Sequence, residues 1–234
     1  MSEIIEYSLR KREEDLKRIL QDASLFIVWP CEEGVLVLAA NKDRRENRTH
    51  SIFDRIACIT LGGFSAGTIL WQDAALRASM EGFNLSRGDV SCRILMKGTS
   101  ALLSESFHNF RQGPVFGAEV VFVEVASERA DDYLAYVNFR GFIQTFNEAK
   151  MFGRIQVPDV RDVRNEGRAE NELAHQRIKA LWEPDLSTEQ AIDSLRQEQS
   201  LANIFSSTRV EAILLDRKMV KEEKFNKTFK RLAI

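Results

Sequence analysis

The residue types from which catalytic and binding sites are built are present in this chain but scattered. Its 3 histidines, His50, His108 and His175, lie far apart and read as surface or hydrogen-bonded side chains. Its 3 cysteines, Cys31, Cys58 and Cys92, form no CxxC pair, which points to neither a disulfide framework nor a zinc site. Cys31 follows Pro30 in a predicted turn that would expose it, with no base nearby in sequence. The acidic pairs Glu32-Glu33 and Asp131-Asp132 also fall in predicted turns, where water is their expected partner. Gly62-Gly63-Phe64-Ser65-Ala66-Gly67 leads into a predicted helix and superficially suggests a phosphate loop. It lacks the lysine and spacing of a P-loop and the GxGxxG order of a dinucleotide site. No metal and no cofactor is expected.

The elements that carry these residues are those of an ordinary folded domain. The 234 residues are 44% hydrophobic and 29% charged, which argues against extended disorder. The 33 basic and 35 acidic side chains leave a net charge of −2, so no basic excess points to nucleic acid. The N-terminal stretch is charged and helical in pattern, and no apolar run approaches the length of a membrane span. A cytoplasmic protein is the expectation.

Residues 3–21 predict a helix, with Ile5, Leu9, Leu16, Ile19 and Leu20 near one side and Glu13–Lys17 as an i,i+4 pair. Strands follow from 24 to 61. Ser65 is placed to cap the next helix, in which Ile69, Leu76, Met80 and Phe83 recur at helical spacing. A second helix is predicted from about Asp89 to Phe107, with Gly98 inside it. Strands return at 115–126 and 133–139, then at FIQTF beyond a turn at Arg140-Gly141. A polar loop spans 154–168, and helices are expected at about 169–182 and 188–202, the latter opened by Ser187 and Gln190 at capping-box spacing. A last strand, RVEAILLD, precedes a charged tail (216–234) expected as a short solvated helix. No linker or repeat divides the chain, so one domain over 1–234 and a mixed α/β class are expected.

From Ser24 to Gly63 the chain reads SLFIVW, a bend at PCEEG, GVLVLAAN, a charged loop KDRRENR, then THSIFDRIACITLGG opening into a helix. This order resembles the first hairpins of a proteasome core-particle subunit. GVLVLAAN (34–41) is similar to the glycine-led second strand of that family, and RTHSIFDRIACITLGGF (48–64) to its basic residue, amphipathic strand and glycine. GPVFGAEVVFVEV (113–125), with the hairpin at Arg140-Gly141, resembles the later strands. The resemblance spans roughly residues 4–222 and is to alpha-type subunits of the bacterial, actinobacterial kind. It implies an α+β fold: a four-layer α-β-β-α sandwich of the N-terminal nucleophile hydrolase type with an extra N-terminal helix.

Catalytic members of that family free an N-terminal threonine whose amine acts as base, with an aspartate and a lysine tuning the hydroxyl. At the matching places this chain has Ser24, Asn41 and Arg48. Asn41 supplies no negative charge, Arg48 stays protonated, and Ala23 stands where a glycine usually precedes the processing point. The resemblance therefore implies a non-catalytic alpha subunit and no enzyme. The alternative is a self-processing hydrolase that discards residues 1–23 and attacks with Ser24; a stand-alone ring without a protease partner is a third reading.

For the alpha-type reading, the resemblance implies a homomeric seven-membered ring stacked on a ring of catalytic beta-type subunits, with no membrane and no nucleic acid as partner. Such a ring restricts entry and docks a ring-shaped ATP-dependent unfoldase through its C-terminal tails. Met1, Ser2 and Glu3 would then face the pore as a gate. Arg48 would receive a tail carboxylate in two-pronged fashion, beside Gly62 and Gly63, where missing side chains let a partner backbone approach. Read from sequence alone, Arg48 is equally a solvent-facing loop arginine, and the two glycines merely shape a strand-to-helix turn.

Overall fold

The computed structural model describes residues 2–21, 24–41, 47–109, 115–153, 163–198, 201 and 209–232. In chain order the elements are α1 Ser2–Gln21, β1 Leu25–Cys31, β2 Gly34–Asn41, β3 Thr49–Phe53, β4 Ile56–Gly62, α2 Phe64–Asn84 and α3 Cys92–His108. There follow β5 Ala118–Glu124, β6 Tyr133–Val137, β7 Ile143–Phe146, β8 Lys150–Phe152, α4 Val163–Leu181, α5 Thr188–Gln197, β9 Arg209–Asp216 and β10 Phe229–Leu232. The chain forms two compact units. One contains Met1–Ala23, Arg48–Glu124 and Tyr133–Thr145; the other contains Ser24–Asn47, Val125–Asp132 and Phe146–Ile234.

The first unit is built on a 5-stranded sheet in the order β3-β4-β5-β6-β7. Alternate residues of its strands, among them Ile56, Cys58, Val120, Phe122 and Ala135, form a core with Leu70, Ala74 and Ala78 of α2 and Leu95 and Leu103 of α3. The second unit carries a 5-stranded sheet in the order β10-β9-β2-β1-β8. There Ile27, Trp29, Leu36, Leu38 and Leu214 pack with Ala174 and Ile178 of α4 and Ala191 and Leu195 of α5. Each unit is thus one antiparallel sheet with its own helices, which is the α+β class expected.

Several expectations are corrected. The run 49–62 reads as one strand but forms two, β3 and β4, joined by a turn at Asp54-Arg55. β8 and β10 are too short to show a period, and each exists by pairing with a longer neighbour, β1 and β9 respectively. The tail is therefore not a solvated helix: after a helical turn at Arg217–Lys221 it returns as the edge strand β10. α3 starts at Cys92, later than predicted, because the buried Glu124 carboxylate accepts the Cys92 N–H at 2.8 Å while Arg55 holds its other oxygen at 3.0 Å. α5 stops at Gln197, although its capping box is formed as expected, with Ser187 accepting from the Gln190 N–H.

The largest departure is in α2. Its buried residues are Gly67, Leu70, Ala74 and Ala78, whereas Ile69, Leu76, Met80 and Phe83 are all exposed. The cause is close approach. A Cβ at Gly67 would stand 2.9 Å from the Thr60 side chain, so the helix lies close to β4 there, and Leu70 is buried while these four apolar side chains are turned outward.

The acidic pairs are not simply hydrated either. Asp132 is buried and meets Arg217 in two parallel bonds of 2.8 and 2.7 Å, and Arg217 also donates to the carbonyl of Ala126 at 3.0 Å. Glu33 accepts from both the N–H and the hydroxyl of Thr188, at 2.8 and 3.0 Å, and so holds the start of α5. Cys31 is fully buried, with its thiol 3.4 Å from the Gly34 carbonyl, and burial raises its pKa. It is not a reactive surface thiol.

Both partners of the Arg217–Asp132 pair expose only 7% of their side chains, so removing one strands the other charge in a poor solvent. Arg217→Ala is expected to cost about 3–5 kcal/mol in urea denaturation of the full chain. Lys218→Ala, at an exposed neighbour, should move stability by less than about 0.5 kcal/mol. Equal midpoints for the two variants would show that the pair is not structural.

Candidate functional site

The residues singled out at the end of β4 do come together in the first unit. Gly62 closes β4 at φ +92°, a conformation that L side chains rarely adopt. A Cβ there would sit 2.4 Å from the Gly117 carbonyl oxygen and 2.8 Å from Leu20 Cδ2 of α1. The next residue, Gly63, donates its N–H to that same carbonyl at 2.7 Å and is the N-cap of α2, without a capping side chain. Ser65, expected to cap, lies inside the first turn instead. The two glycines shape the turn from β4 into α2.

Arg48 lies at the mouth of β3 and is not solvent-facing: 7% of it is exposed. Its carbonyl accepts the Thr60 N–H at 3.0 Å, which ties its backbone to β4. Its guanidinium donates to the Gly62 carbonyl at 2.5 Å and lies 5.7 Å from the centre of the half-exposed Phe64 ring. A fixed cation thus sits beside the start of α2, where the first N–H groups of a helix lack intrahelical acceptors and the dipole is positive. Such a cation and helix end favour negative charge nearby.

Two neighbours were not legible as part of this cluster. His50 stacks on Trp71 of α2, with centroids 4.4 Å apart and planes 13° from parallel. Burial, with the Arg48 charge adding to it, lowers the His50 pKa to about 4, so the ring is neutral at pH 7. The Gly117 backbone is the other addition. No signal in the sequence pairs position 117 with 62, because the contact is made by a carbonyl and not by a side chain.

The remaining candidates lie on other elements. Ser24 is buried at the entry to β1 in the second unit, its carbonyl packed where a Cβ on Gly153 would clash. Asn41 ends β2 opposite Arg209. His108 is exposed and bonded to the Ser104 carbonyl, and His175 lies on α4, its pKa lowered by burial and by Lys150. Met1 and most of the loop at 154–168 lie outside the described residues, while Ser2 and Glu3 begin α1. Among the described residues no group of His, Cys, Asp or Glu is arranged to hold a metal ion, and no helix is long and apolar enough to cross a membrane.

No protein-family model matches the chain. It is similar to curated proteins named proteasome subunit alpha from actinobacteria. The likeness is 30% identity over 117 residues to that of Arthrobacter sp. strain FB24, covering 50% of this chain and 49% of the relative. It is 24% over 212 residues to that of Paenarthrobacter aurescens strain TC1, covering 88% of this chain and 82% of the relative. It is 20% over 216 residues to that of Jonesia denitrificans, covering 89% and 82%. Over the Arthrobacter relative the chain spans about half of the relative's length, 49%. The resemblance to actinobacterial alpha-type subunits, read from strand order, is shown by these relatives.

Two outcomes test the site's construction. Gly62→Ala is expected to destabilise the protein by about 1–3 kcal/mol, because the positive φ and the Gly117 oxygen both oppose a side chain. A thermal melt within error of the parent's would contradict this packing. For His50, the unfolded chain takes up a proton near pH 6.5 and the folded chain only near pH 4. The unfolded state binds more protons in that window, so His50 lowers stability as pH falls through it. His50→Gln should flatten this part of the stability–pH curve, and an unchanged slope would place His50 in water.

Proposed function

We propose that this chain is a non-catalytic alpha-ring subunit of a bacterial proteasome core particle. The observation that carries the reading is the way α1 is held. Leu16 is 3% exposed and packs with Phe107 and Phe139, flanked by Leu9 and Leu20. Arg12 donates to the Phe107 carbonyl at 2.7 Å, and Glu13 bridges Lys17 and Arg140. The Glu13 carboxyl is held below its usual pKa by Lys17 first and Arg140 after it. A self-processing hydrolase would discard this helix to free Ser24, stripping the floor from Phe107, Phe139 and Gly62. α1 is part of the fold, and that favours the alpha-type reading over the enzyme.

In this reading the chain forms a homomeric ring, stacks on a ring of beta-type threonine-protease subunits in a cytoplasmic particle, and limits entry to it. Ser2 and Glu3, at the head of α1, stand with Met1 as the pore-facing residues. Arg48 with Gly62 and Gly63 takes the C-terminal carboxylate of a ring-shaped ATP-dependent activator. What supports the last step is the cation beside the open end of α2. Several weak tails acting on one ring gain through effective concentration, so each pocket need only be modest.

Native mass spectrometry of the chain co-expressed with a beta-type subunit tests the assembly. An intact chain in a multi-ring particle is expected, and loss of the first 23 residues or failure to join the beta-type ring would overturn the reading. In such a particle Arg48→Ala should leave peptide hydrolysis unchanged and reduce activator-driven protein degradation about tenfold or more, the size of one charge-assisted contact. Full stimulation in that variant would remove Arg48 from the pocket.

A further inference from the structure

We draw no further inference here: the strongest candidate, the uncharged edge strand β7 with Phe142 and Ile143 exposed at its start, is an unpartnered apolar sheet edge, and nothing in the structure shows what covers it.

Discussion

The crowding of backbone around Gly62 is the constraint on which most of the first unit depends. Three pieces of chain meet there: the end of β4, the Gly117 carbonyl and Leu20 at the end of α1. The left-handed turn at Gly62 is what aims the chain away from the sheet and into α2. Because that turn leaves the Gly62 carbonyl pointing to Arg48, the same residue fixes a buried guanidinium next to the helix start. Where α2 begins also decides which of its faces lies on β4. The direction of α2, the seat of α1 and the position of the buried Arg48 at its start are thus parts of a single packing problem.

Charged groups in this molecule are spent largely on holding elements in place. Glu124 holds the start of α3, Glu33 the start of α5, and Asp132 fixes Arg217 at the end of β9. In each case a carboxylate accepts hydrogen bonds from donors that would otherwise be buried without partners. Arg12 and Arg140 tie α1 to the unit beneath it in the same way.

A helix can pack through either of two apolar patterns, and α1 and α2 differ in which they use. α1 buries Leu16, with Leu9 and Leu20 partly buried beside it, against Phe107 and Phe139. α2 buries Leu70 with glycine and alanine and keeps Ile69, Leu76, Met80 and Phe83 outside. Periodicity is the same in both cases. What separates them is the distance of the neighbouring sheet, and Thr60 beneath Gly67 sets that distance for α2.

The sequence by itself determined the class of fold, the order of the longer elements, the capping of α5 and the resemblance to alpha-type subunits, because each rests on residues near one another in the chain. Apolar alternation marks β1, β2 and β5 whatever packs on them, and Ser187 with Gln190 caps a helix locally. The tertiary structure alone decided the rest. β8 and β10 are strands only through their partners, Asp132 is a structural charge only because Arg217 reaches it across 85 positions, and Arg48 is buried only because Phe64 and Gly62 close over it. It also decided that the apolar stripe of α2 faces outward. Those outcomes depend on contacts between residues far apart in sequence, and neither composition nor period encodes the distance between two surfaces.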